Sequence, residues 1–140
     1  MKKDRAQAIW EGSVKEGKGK LSTKSKVLKD NQYSYKTRFE DGSGTNPDEL
    51  IAAAHAGCFA MALSLMLGEE GYEPESLDAT AEVTMDPNQL KLTKSHLTLK
   101  AKIPNIEEDK FQEIANKAKE NCPVSKALNM DISLDASLTT

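Results

Sequence analysis

Asn46-Pro47-Asp48-Glu49-Leu50-Ile51-Ala52-Ala53-Ala54-His55-Ala56-Gly57-Cys58-Phe59-Ala60-Met61-Ala62-Leu63 is the stretch on which the fold turns. It opens with three agreeing helix-start signals: a capping Asn46, Pro47 at the first helical position and Glu49 at the third. From Leu50 to Leu67 it carries no charged residue, and the pattern predicts a helix running to about Glu70 with Gly71 as its left-handed terminator. A helix this apolar is too greasy for a surface position and needs cover on nearly all sides. Alanine dominates it, His55, Gly57 and Ser64 interrupt it, and no second span or basic flank follows, so it reads as a helix buried in protein and not in a membrane. A sheet covers one side; Ala52, Ala53, Ala56, Gly57 and Ala60 are small enough to let a second helix approach on the other. A homodimer is the economical solution.

Outward from that helix the chain alternates short strands and helices. Ala8-Ile9-Trp10 and Tyr33 to Phe39 look like strands, Lys15-Glu16-Gly17-Lys18-Gly19 like a hairpin tip, and Asp41 to Thr45 like a loop. Leu77 to Met85 alternates, and Asp86-Pro87-Asn88-Gln89 is a turn. The strand from Leu90 to Ile103 changes face: Leu90 and Leu92 share one parity, Leu97, Leu99, Ala101 and Ile103 the other, which predicts a bulge near Lys94-Ser95. Asn105 and Glu108 read as a helix start with Ile106, Phe111, Ile114, Ala115 and Ala118 on its apolar stripe. A short helix follows from Pro123, and Ile132, Leu134, Ala136 and Leu138 make a closing strand. The expected class is α+β: an antiparallel sheet of about six strands wrapped around a long buried central helix, in a single domain spanning 1–140.

Composition narrows the function. A net charge of −3 gives no electrostatic case for nucleic acid or an anionic membrane. Met1-Lys2-Lys3-Asp4-Arg5 has no apolar run behind it, so a signal peptide is not expected and the cytoplasm is the default compartment. In that compartment thiols stay reduced, and a structural disulfide has little use. The only two cysteines, Cys58 in the central helix and Cys122 at the start of Pro123-Val124-Ser125-Lys126, therefore point to chemistry or to two buried small hydrophobes.

Two arginines stand among nineteen basic residues, and Arg38, in the strand ahead of the helix, supplies a permanent charge and a planar fork that lysine cannot. Glu49 is a natural partner for it; the plainer alternative is a capping residue beside a surface arginine. Glu49 and Cys58 lie nine residues apart, on opposite sides of a straight helix and ~13 Å apart along its axis. If Arg38 and Glu49 serve Cys58, they do so across a dimer interface. His55, one turn before Cys58, reads as a satisfied core histidine more readily than as a base. Two Cys and two His in this spacing match no zinc site, so no metal is expected.

Thr45-Asn46-Pro47-Asp48-Glu49-Leu50, Ala52-Ala53-Ala54-His55-Ala56-Gly57-Cys58-Phe59, Leu77-Asp78-Ala79-Thr80-Ala81 and Asn121-Cys122-Pro123-Val124-Ser125-Lys126-Ala127-Leu128 together resemble the OsmC-type hydroperoxide reductases, related to the organic hydroperoxide resistance proteins. The nine-residue Glu-to-Cys spacing is similar to the OsmC branch. The resemblance implies an intertwined homodimer with two interface sites, in which Cys58 is the peroxidatic and Cys122 the resolving cysteine. Arg38 and Glu49 become the activating pair lent by the other subunit. The implied activity is thiol-dependent reduction of organic hydroperoxides, more weakly of hydrogen peroxide, in oxidative and osmotic stress defence. It needs no bound cofactor, only an external dithiol reductant protein, lipoyl-type carriers included. Phe59 and Met61 are expected to line the site with apolar surface. The competing class is a non-enzymatic protein of the same fold that binds a small apolar ligand or senses redox state.

Overall fold

The computed structural model describes residues 1–139. The chain divides into two compact units, Met1–Leu50 and Ile51–Thr140.

In the first unit, β1 (Ala6–Glu11), β2 (Lys18–Thr23) and β3 (Asn31–Tyr33) form an antiparallel sheet in that order. Gly19 lies under the Trp10 and Tyr33 rings, whose centroids are 5.5 Å apart; a Cβ there would stand 2.4 Å from Tyr33. The predicted strand Tyr33–Phe39 is mostly a helix instead, α1 (Tyr35–Phe39). Ser34 and Thr37 form a reciprocal capping box: the Ser34 hydroxyl accepts from the Thr37 N–H and the Thr37 hydroxyl accepts from the Ser34 N–H. Two satisfied donors outweigh the β-propensity of the two tyrosines. This unit buries only Gly19 and Thr37, and β1 is exposed along its whole length.

The long helix α2 (Pro47–Glu69) begins where the capping signals put it, with the Asn46 side chain accepting from the Glu49 N–H at 2.8 Å. It ends at Glu69; Gly71 follows at φ 87°, and the Tyr72 N–H closes back on the Leu67 carbonyl. It is not buried on nearly all sides within the chain. His55, Phe59, Leu63 and Leu67, spaced by four, form its one buried stripe, while Met61 and Leu65 are 76% and 65% exposed.

In the second unit that stripe packs into a core with Leu97, Leu99, Ala101, Ile103, Phe111, Ile114 and Cys122. The sheet there is β4 (Ser76–Asp86), β5 (Lys91–Lys102) and β6 (Asp131–Thr139), in that order. The face change is resolved by a bulge that leaves Thr93 opposite the Thr84/Met85 step, one residue before the expected place. The single antiparallel sheet is corrected on two points. There are two three-stranded sheets, and β6 runs parallel to β5, because α3 (Glu108–Asn121) and α4 (Pro123–Ala127) form a crossover between them. Asn105 is not the cap of α3: it takes φ 68° in the turn after Pro104, and Glu107 occupies the cap position without a side-chain bond. Asn is tolerated at that backbone angle, which frees the turn to tuck Ile106 into the core.

Candidate functional site

Helix α2 carries Cys58 and the α3–α4 junction carries Cys122, so the crossover that makes β6 parallel is also what returns the second thiol to the first. Both are free thiols; Cys58 is half-buried and Cys122 fully buried. Cys122 caps α4, its Sγ accepting the Ser125 N–H at 3.3 Å and lying 3.1 Å from Ser125 Oγ. Pro123 at the first position of α4 leaves the cap to a sulfur that is both capping group and hydrogen-bond partner. The Val124 N–H and Cys122 lie close enough to Cys58 to bias its thiol. Burial pushes the Cys58 thiol up, the Val124 N–H pulls it down, and Cys122 pushes it up further; the balance lies above the ordinary thiol range. Within the second unit, then, the pair is poised in space but Cys58 is held protonated at neutral pH.

His55 lies one turn before Cys58 on α2 and is completely buried. Its Nδ1 is 2.7 Å from Ser95 Oγ on β5 and its Nε2 2.8 Å from Ser125 Oγ on α4. Desolvation lowers its pKa, so the ring is neutral near pH 7. It is the satisfied core histidine that was expected, and its second partner is the serine that touches Cys122. His96 does similar work in the sheet: its ring bonds Ser133 and Asp135 across the parallel β5–β6 pairing, holding that register.

In the first unit Arg38 sits on α1, not on a strand, and its Nη2 donates to Asp48 Oδ1 at 3.2 Å. The expected partner Glu49 accepts instead from the Thr45 hydroxyl at 2.7 Å. The physical reason is the first turn of α2, which splays adjacent residues ~100° apart, so that Asp48 and Glu49 address different neighbours. The Asn46 amide also donates to the Thr37 carbonyl at 2.7 Å, tying the start of α2 to α1. Around Arg38 is an apolar hollow of about 260 Å³ lined by Trp10, Val14, Tyr33, Tyr35, Phe39 and Pro47. Of the expected apolar lining, Phe59 is fully buried in the second-unit core and Met61 is exposed on the chain's surface. Sequence reasoning missed Asp48, Ser95, Ser125 and this aromatic hollow; the Ser34-to-Thr37 capping spacing was the available signal for the last. Among the described residues no group of three or more His, Cys, Asp or Glu side chains is arranged to hold a metal.

The structure thus brings Cys58 to Cys122, and Arg38 to Asp48 rather than to Glu49. A free thiol pair of this kind supports reversible disulfide chemistry.

Comparison with known proteins shows the family of the chain. The family model described as OsmC-like protein matches residues 40–137. Peroxiredoxin OsmC of Escherichia coli is 50% identical over 136 residues, covering 96% of this chain and 95% of that one. The organic hydroperoxide resistance protein OhrB of Bacillus subtilis is 34% identical over 99 residues, 69% of this chain and 72% of that one. The crystal structure of that OhrB superposes with a TM-score of 0.66 at 27% identity, covering 95% of this chain and 98% of that one. With a matched family model over most of its length and a half-identical relative over nearly all of it, the chain belongs to the OsmC-like family.

Proposed function

We propose that this protein is a thiol-dependent peroxidase that reduces organic hydroperoxides, and hydrogen peroxide more weakly, through a Cys58 sulfenic acid and a Cys58–Cys122 disulfide. The observation that carries the proposal is the pair of free thiols from distant parts of the chain, Cys58 on α2 and Cys122 at the cap of α4, near enough for Cys122 to bias the Cys58 thiol. The names of the OsmC and OhrB relatives support the substrate class.

In the first step the Cys58 thiolate attacks one peroxide oxygen. The O–O bond breaks, the alkoxide leaves and takes a proton from solvent, and Cys58 becomes a sulfenic acid. Cys122 then attacks the Cys58 sulfur, hydroxide leaves as the S–O bond breaks, and protonation gives water. An external dithiol, lipoyl-type or thioredoxin-type, exchanges with the disulfide and restores both thiols.

Because burial and Cys122 hold the Cys58 thiol up, the attacking thiolate needs a cation. Arg38, oriented by Asp48, is the candidate. Helix α2 is continuous from Pro47 to Glu69, so the nine-residue offset still turns Glu49 away from Cys58 on one helix. We therefore assign Arg38 and Glu49 to the Cys58 of a second copy, in an intertwined homodimer. Two features favour that assembly: the exposed Met61–Leu65 side of α2, and a first unit that buries too little of itself to stand alone. The 95% coverage of the OsmC relative supports reading both units as one domain, and the free thiols suit the cytoplasm. The apolar hollow beside Arg38 suits an organic peroxide's carbon chain.

The test is a single-turnover assay with cumene hydroperoxide, followed by mass spectrometry. Wild type should lose two hydrogens and yield a crosslinked Cys58–Cys122 peptide. Cys122→Ser should consume about one equivalent and stop at the sulfenic acid, and Cys58→Ser should consume none. Stoichiometric ligand uptake with no peroxide turnover would instead establish the apolar-ligand-binding alternative.

A further inference from the structure

Four side chains run in an unbroken buried line through the second unit: Ser95 Oγ on β5, the His55 ring on α2, Ser125 Oγ on α4 and Cys122 Sγ. The successive separations are 2.7, 2.8 and 3.1 Å. Ser95, His55 and Cys122 are fully buried and Ser125 is 7% exposed. A histidine in an apolar core costs free energy unless both ring nitrogens are bonded, and here serines from two other elements bond them.

Cys122 is where this line ends. Its sulfur is sealed from solvent, so the proton it must shed before attacking Cys58 has to leave through a bonded group. The Ser125 backbone N–H is already a donor to the sulfur, and Ser125 Oγ, 3.1 Å away, is the hydroxyl positioned to accept from it. A serine hydroxyl passes a proton on only if it surrenders its own, and its other neighbour is the ring nitrogen Nε2 of His55.

We propose that His55, acting through Ser125, is a positioning residue that receives the proton Cys122 sheds as it attacks the oxidised Cys58. The inference rests on the assignment of Cys122 as the resolving thiol. The step balances. The Cys122 S–H proton moves to Ser125 Oγ while the Ser125 O–H proton moves to His55 Nε2, and Nδ1–H donates to Ser95. The freed sulfur electron pair bonds to the Cys58 sulfur and the Cys58 S–O bond breaks. The Ser125 hydroxyl then delivers a proton to the released hydroxide and recovers its own from His55, giving water and a neutral ring. Desolvation, which lowers the His55 pKa, keeps the ring neutral at the start and makes it return the proton at the end.

The experiment separates the two chemical steps. Rapid mixing of reduced protein with one equivalent of cumene hydroperoxide, quenched into a dimedone-type sulfenic acid probe, gives the rates of sulfenic acid appearance and of its conversion to disulfide. Ser125→Ala should slow conversion relative to appearance by about a hundredfold, the low end of what general acid–base assistance contributes. Ser125→Thr, which restores the hydroxyl, should recover most of that loss. In wild type, nitrogen-15 NMR of the reduced protein should show His55 as the neutral tautomer with Nδ1 protonated and Nε2 free to accept. An Nε2-protonated ring, unchanged conversion in Ser125→Ala, or no rescue by threonine overturns the relay while leaving the peroxidase reading intact. A wild type that forms no Cys58–Cys122 disulfide overturns both.

Discussion

Acid should find His55 first. In the folded protein its ring is fully enclosed, and desolvation holds its pKa below the ordinary 6.5. In the unfolded chain the same ring titrates near 6.5. Between those two values the unfolded state binds a proton that the folded state refuses, so stability falls as the pH drops. The contribution is fully retained well above pH 6.5, is lost progressively below it, and levels off once the pH passes the folded-state value. From pH 7.5 to pH 5.5 the loss amounts to at most about 1.4 kcal/mol, the limit reached if the folded ring stays neutral throughout. Urea unfolding of wild type and of His55→Gln at pH 7.5, 6.5 and 5.5 reads it directly, at one fixed protein concentration so that any association cancels. Glutamine keeps polar contacts but does not titrate. Every other ionising group is common to both proteins, and the difference between the two pH profiles isolates His55. The wild-type profile should fall more steeply below pH 6.5 than the variant's. Parallel profiles, or a wild type that gains on acidification, would refute the reading of His55 as a buried neutral ring.

Three further outcomes are expected. Mixing Arg38→Ala with Cys58→Ser subunits after unfolding should return activity towards about a quarter of wild type, since half of randomly paired dimers are mixed and each holds one complete site; verified heterodimers that stay inactive would show that the arginine acts within its own chain. Asp48→Ala should lower single-turnover peroxide consumption more than Glu49→Ala, because Asp48 is the carboxylate bonded to Arg38; the reverse order, measured in the same stopped-flow assay, would restore Glu49 as the partner. Leu63→Ala, in the fully buried stripe of α2, should cost about 2–5 kcal/mol by urea unfolding, whereas Leu65→Ala, two-thirds exposed in the chain, should cost that much only if a second copy covers it.

How much was legible follows from how local each determinant is. The start of α2 is written in three residues of one four-residue stretch, Asn46, Pro47 and Glu49, and its Asn46 cap forms as the spacing implies. The apolar stripe of α3, from Phe111 to Ala118, and the bulge at Thr93 are likewise periodicities of one segment. The approach of the two cysteines was legible because two thiols in a chain expected to stay reduced call for an explanation, and the motif resemblance offered one. The misses are contests between short-range options. Tyr33 to Phe39 has strand composition, yet a Ser34–Thr37 box decides it. Asp48 and Glu49 are equivalent in charge, and only the helical turn selects which meets Arg38. The parallel placement of β6 depends on where two helices lie, and no residue of β6 encodes that direction.

That parallel placement also sets an order of events in time. Helix α2 can form soon after it is synthesised, because its backbone hydrogen bonds lie within the segment. Cys122 follows Cys58 by 64 positions (122 − 58) and reaches it only once α3 and α4 have crossed the sheet and β6 has found its register against β5. Pairings of such long sequence separation are the slow ones in a folding chain. On the proposed assignment, a growing or half-folded chain therefore presents its peroxide-reactive sulfur with no counterpart to condense against. A sulfenic acid in that position is free to oxidise further to the sulfinic state, which ordinary thiols do not reverse. Vulnerability to the very molecule it removes is thus greatest during the protein's own synthesis, and it ends when the last strand docks.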